Sequence, residues 1–330
     1  MNGNNFHNRE ELMSMKKQYI LLTALLVIAL LLTSCGGTPD GPGETSADIS
    51  PTDHAMDWRD EALASAMVEA TGITDRDIML SDVWELQFLW LSDAGISDIS
   101  ALGELTNLTV LNLDENNISD ISALGKLTNL TNLGLNENNI SDISALGKLT
   151  NLTALSLNEN NINDVSALSG LTNLTSLALR ENNISDVSAL GGLTNLTSLS
   201  LNDNNMSDIS ALGGLTNLTG LELSWNNISD ISALSELTNL TLLHLNANNI
   251  SDVSALSNLT NLDKLQLGDN NISDISALGG LTSLAVLSIG ENNISDVSAL
   301  SGATNLTFLN LRDNNITDYS PVEFVEDLYR

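Results

Sequence analysis

Three rows of regularly spaced side chains and one thiol are the groups in this 330-residue sequence that could do chemistry. The first row is acidic: Asp93, Glu115, Glu137, Glu159, Glu181, Asp203, Asp269, Glu291 and Asp313 recur at multiples of 22 residues, interrupted by Trp225 and Ala247. Carboxylates stacked at a coil spacing of ~4.8 Å repel by roughly 0.9 kcal/mol in water before salt screens them. Two readings stay open for this row, a solvated edge that aids solubility and a weak site for calcium or a cationic partner. The second row runs from Asp98 to Asp318, each just ahead of a short Ser-containing segment. A carboxylate there can accept from the free N–H groups of a helical turn, which accounts for the row without a metal ion. The third row, Asn116 to Asn314, lies between apolar positions. An amide both donates and accepts, so stacked asparagines can satisfy successive backbone turns.

Catalytic chemistry finds no such pattern. His7, His54 and His244 are scattered, no Ser/His/Asp arrangement stands out, and no glycine-rich phosphate loop leads from a strand into a helix. The expectation is a protein with no catalytic residues, no bound metal and no cofactor, and therefore no enzyme.

The bulk numbers agree. Forty-two acids against 11 bases give a formal charge of −31, which excludes nucleic acid and electrostatic docking on anionic lipid. Hydrophobic residues make up 42% and aromatics only 3%, so the core is aliphatic. A mean hydropathy of +0.07 is too high for a chain kept disordered by charge.

The single cysteine, Cys35, excludes an intramolecular disulfide. Lys16 and Lys17 precede the apolar run Tyr19 to Leu32, which is shorter than the ~20 residues a membrane-spanning helix needs. That describes a secretory signal; a membrane anchor or a buried helix beside a chance cysteine is the alternative. Leu32-Thr33-Ser34-Cys35 resembles the bacterial lipobox. The resemblance implies cleavage before Cys35 and lipidation of its thiol, an anchor held by several acyl chains. Residues 1–34 are then the signal peptide, with Met15 opening a cleaner version of it. Residues 35–53 carry three of the four prolines and read as a flexible tether.

Residues 54–82 are expected to form a helical cap. Leu63, Ala66, Met67 and Ala70 have helical spacing within Trp58 to Ala70, Gly72 can end that helix, and Thr74 with Asp77 signals a second. From Leu105 the chain repeats every 22 residues in ten units such as Leu193 to Gly214 (LTNLTSLSLNDNNMSDISALGG), and a degenerate unit begins at Val83. The pattern L-x-x-L-x-x-L-x-L-x-x-N-x-I resembles the internalin-like class of leucine-rich repeat over residues 83–324. The resemblance implies an α/β solenoid: a right-handed coil with a parallel concave β-sheet, convex 3-10 or turn segments, and short helical caps at both ends. No immunoglobulin-like domain or sorting signal of that class is recognisable in the sequence.

Leu111 and Leu113 alternate with Val110, Asn112 and Asp114, so each unit should give one short strand whose leucines point inward. Ser320-Pro321-Val322-Glu323 reads as a helix start, with a helix through Leu328 covering the last coil over residues 320–330. Most outward strand positions hold small residues. Two adjacent units break this, placing Glu222, Trp225, Leu242 and His244 on one expected partner-binding patch; an incidental exposed tryptophan is the alternative. Phe88 and Trp90 form a second candidate patch, unless the cap helices cover it, and Phe308 stands alone.

The expected function is a protein-binding scaffold, lipid-anchored and extracytoplasmic, on the outer membrane or cell surface, monomeric, touching membrane only through its anchor. A glycan is a second candidate partner. A structural envelope spacer and a calcium-modulated adhesin are the alternatives.

Overall fold

The computed structural model describes residues 52–330. The signal segment, Cys35 and all of the tether except Thr52 and Asp53 lie outside the described residues.

Each 22-residue unit makes one coil. In β2 (Val110–Asn112) the middle leucine is buried and its neighbours are partly exposed, and Leu113 beyond the strand is buried again. This is the expected alternation of a strand with one face on a core. Among the described residues twelve three-residue strands, from β1 (Phe88–Trp90) to β12 (Asp327–Tyr329), pair in sequence order as one parallel sheet. The register aligns leucine on leucine, Leu111 with Leu133 and Leu133 with Leu155, so each coil repeats its neighbour's packing. A single coil cannot bury its seven apolar positions alone; stacking does that, at ~1.5–3 kcal/mol for each leucine removed from water.

Opposite the sheet each coil returns through a short 3-10 turn such as Ser122–Lys126. Asp120 sits two residues ahead of it, and its Oδ1 accepts from the Ser122 N–H at 2.8 Å. The equivalent bond recurs from Asp98 to Asp318 at 2.8–2.9 Å. Those bonds hold most of these carboxyls below the ordinary aspartate range.

At the N-terminal end, α1 spans Glu61–Thr71, starting three residues later than the spacing suggests. Asp60 is its cap, accepting from Leu63 N–H, and Gly72 closes it in the left-handed conformation at φ 71°. Leu63 and Met67 are buried, Ala66 packs at the margin and Ala70 is exposed. The Asp60 carboxylate also accepts from Ser97 N–H, Ser97 Oγ and Asp98 N–H, at 2.8–2.9 Å, and so ties the cap to the first coil. The second helix, α2 (Leu80–Val83), does not start at Thr74. Met56 N–H to Ile78 O and Leu80 N–H to His54 O, each 2.9 Å, hold residues 78–79 extended against the N-terminal segment. Asp82, ion-paired with Arg76, supplies the cap by accepting from Met79 N–H.

The C-terminal expectation needs correction. A 3-10 turn forms over Ser320–Val322, but no helix continues to Leu328. Instead β12 pairs with β11 (Phe308–Asn310). Asp327 N–H donates to Thr307 O at 3.0 Å, and Leu311 N–H donates to Tyr329 O at 2.8 Å. A helix would leave those ladder groups of the preceding coil unpaired. Val322, Val325 and Leu328 take the apolar positions of a shortened coil, while Phe324 is left 44% exposed.

Candidate interaction surface on the concave sheet

The rigid scaffold fixes which side chains reach the outer face of the sheet. Asparagines of the inward turn from Asn116 to Asn292 are buried and bonded: Asn138 Nδ2 donates to Leu113 O and Asn136 O, and its Oδ1 accepts from Ile118 N–H at 2.9 Å. They are committed to structure. A second ladder, not foreseen, lies just past several of the strands: Asn136 Oδ1 accepts from Asn158 N–H, and Asn158 Oδ1 from Arg180 N–H. A third joins threonines, as in Thr153 Oγ1 donating to Thr131 O. These ladders reuse outward polar residues to bind coil to coil. They were not foreseen because alternation marks a side chain as outward without saying whether it reaches along the stack.

The acidic row sits where the chain leaves the sheet, and every residue in it is left-handed, with φ between 52° and 57° from Asp93 to Asp313. Trp225 and Ala247 share that conformation at φ 57° and 52°. For L-residues this backbone costs roughly 1–2 kcal/mol and favours glycine or asparagine. The sequence pattern carries no glycine or asparagine there to signal it. Arg180, overlooked in the sequence, reaches into this rim: its guanidinium pairs with Glu181, lies 4.0 Å from Glu159, and its Nε is 3.8 Å from Asp203. Burial and the neighbouring Glu181 raise the Asp203 carboxyl, with Arg180 opposing them.

The structure brings three of the four expected patch residues together. Glu222 of β7 (Gly220–Glu222) is the register partner of His244 in β8 (Leu242–His244), and Leu242 lies beside Gly220. Glu222 Oε2 accepts from Ser200 Oγ at 3.0 Å and Asn202 Nδ2 at 2.8 Å. His244 is half-buried; desolvation pushes its imidazole down, Glu222 raises it, and Lys264 lowers it further. Lys264 and Gln266, in β9 (Lys264–Gln266), extend the patch and were not singled out beforehand.

Trp225 does not join them at the centre. Three residues past Glu222 the chain has left the sheet, and Trp225 stands at the rim, 60% exposed, in a shallow recess with Asn205, Asn227 and Ala247. The cap helices leave Phe88 and Trp90 uncovered: they are 39% and 51% exposed and stacked at 6.2 Å between ring centroids. Phe308 is not isolated, since Tyr329 of the added strand packs at 5.2 Å and Arg312 lies over the Tyr329 ring. Among the described residues no three His, Cys, Asp or Glu side chains are grouped to hold a metal ion, and no helix is long and apolar enough to cross a membrane.

A continuous parallel sheet, one strand per coil, with an asparagine ladder inside and 3-10 turns behind, defines a leucine-rich repeat solenoid. The family model described as a leucine-rich repeat region matches residues 85–245, and further leucine-rich repeat models match 260–302 and 302–318. The internalin InlF of Listeria monocytogenes is 34% identical over 82% of this chain and 95% of its own, with a TM-score of 0.61. The internalin InlC2 of the same organism is 38% identical over 65% of this chain and 94% of its own, at 0.60. A plant peptide hormone receptor, RGFR1 in complex with RGF2, is 28% identical over 66% of this chain and 42% of its own, at 0.55. No curated protein matches. The chain belongs to the leucine-rich repeat proteins of the internalin type.

Proposed function

We propose that the chain is an extracytoplasmic, non-enzymatic scaffold that binds a protein partner on its concave sheet and is held to a membrane through lipid on Cys35. The observation that carries the reading is the end of the small-residue stretch of β3 to β6, beyond which Glu222, Leu242 and His244 meet on adjacent strands. Leu242 supplies apolar area, while Glu222 and His244 give direction, as in the core of a protein interface. Trp225 is then a rim contact, and Phe88 with Trp90 a second contact patch. The internalin relatives support a binding scaffold, and the plant receptor is titled as a complex with RGF2.

A glycan is the alternative ligand for the aromatic pair. The near-identity of the remaining coils favours the second reading, a spacer without a single partner. Capture decides between them: immobilised full chain should retain a discrete protein from envelope or host-surface extracts, and Leu242→Ala should lose it. Equal recovery on both moves the contact off this patch, and none on either favours the spacer.

A further inference from the structure

We propose that the first half of the concave sheet, between β2 and β7, seats a helix of a basic protein. This rests on the reading of the sheet as a binding face and adds the partner's charge and shape.

The floor of this half is nearly bare. In the four strands from β3 (Asn132–Gly134) to β6 (Ser198–Ser200) the outward residues include Gly134, Ala154, Ser156, Ser176, Ala178 and Ser198. Taller groups stand at both ends, Phe88 and Trp90 on one side and Leu242 and His244 on the other. From β2 to β7 the trough is about 24 Å long at ~4.8 Å per strand, the length of roughly 16 helical residues. Each floor strand is paired on both edges, so no backbone is open for a strand to add. An occupant must bind through side chains, and a helix offers a ridge that fits a furrow floored by small residues.

Charge selects the kind of helix. The rim carries six carboxylates on consecutive coils: Asp93, Glu115, Glu137, Glu159, Glu181 and Asp203. Arg180 shows how a cation lying on the face meets them, since its one guanidinium reaches Glu159, Glu181 and Asp203 of three successive coils. Lysines or arginines along a docked helix would find the same rim. At the trough's end the stacked, exposed faces of Phe88 and Trp90 are suited to a cation as well. The second half of the sheet lacks this combination: Leu242, Lys264, Val286 and Phe308 fill its floor, and its three rim carboxylates face two cations, Lys264 and Arg312, where the first half sets six against Arg180 alone.

A labelled 16-residue alanine–lysine peptide, and its alanine–glutamate counterpart, test this by fluorescence anisotropy on the full chain. The lysine peptide should bind and the glutamate peptide should not. Replacing Asp93 by Asn together with Glu115 and Glu137 by Gln, which leaves the Arg180 cluster intact, should weaken binding about tenfold, from three exposed ion pairs lost. Neutralising Asp269, Glu291 and Asp313 on the same edge of the second half should change it less than about twofold. Ser176→Phe should weaken binding through the floor; Phe88 and Phe308 occupy the equivalent position in other coils, so the fold accepts it. Absence of binding, equal loss from both neutralised rims, or wild-type binding by a normally melting Ser176→Phe would overturn the proposal. A captured partner lost with Leu242→Ala but kept by both the rim variant and Ser176→Phe leaves the binding face standing and removes the basic helix.

Discussion

Asn138 and Leu113 belong to successive coils, and the Asn138 amide donates to the Leu113 carbonyl oxygen at 3.0 Å. The same amide oxygen takes the Ile118 N–H, so one buried side chain closes a turn and joins two coils. Asn204 repeats this with Leu179 O and Ile184 N–H, both at 2.9 Å. Asn204→Ala leaves those buried groups unpaired, at ~1–3 kcal/mol each. It should lower the melting temperature clearly while leaving partner binding by the surviving folded protein unchanged; melting at the wild-type temperature would contradict the ladder.

Residues with one dominant role were readable in the sequence. The leucines, this asparagine and the turn-capping aspartate each answer to a constraint repeated in every coil, so period and residue type together name the role. The backbone under the acidic row was not readable: Glu137 and Trp225 give no hint of a left-handed conformation, which comes from the coil's closure rather than from the residue. Ends were the least readable. Thr74 and Ser320 carry sound helix-start chemistry, yet pairing of the adjacent backbone with His54, Met56 and Thr307 competes with it and wins. Whether Trp225 faces the patch depended on where the chain leaves the sheet, a matter of three residues that periodicity leaves open.

Acid should loosen the N-terminal cap. Burial raises the Asp60 carboxyl, but N–H bonds from Asp98, Leu63 and Ser97, with the Ser97 hydroxyl, hold it well below the ordinary range. A depressed folded-state value means the contribution is present above the unfolded value near 4 and is lost as pH falls through the folded one. Asp60→Ala should therefore cost roughly 1–2 kcal/mol at pH 7. The gap to wild type should narrow below about pH 4, measured by urea unfolding across pH; a gap independent of pH would contradict the staple.

The left-handed row makes an opposite prediction. Ala247→Gly relieves a conformation that costs an L-residue roughly 1–2 kcal/mol, offset in part by the freedom glycine gains when unfolded. Chemical denaturation should show a stabilisation of up to about 1 kcal/mol. A loss of stability would mean that packing of the partly buried Ala247 methyl outweighs the relief.

Anchoring is tested separately. Cys35→Ser should leave the precursor unprocessed or release the protein from the membrane fraction. A variant still cleaved and equally membrane-bound would contradict lipidation at Cys35.

The most direct measurement is the dissociation constant of the captured partner for wild type, Leu242→Ala with His244→Ala, Trp225→Ala and, as a control, Glu291→Ala, each checked for normal melting. A contact that includes Leu242 and His244 predicts about thirtyfold weaker binding for the Leu242/His244 double variant, the size of a hot-spot loss. Trp225→Ala should lose less, as a rim residue, and Glu291→Ala should bind as wild type. Unchanged binding by the folded double variant would contradict the concave patch as the site.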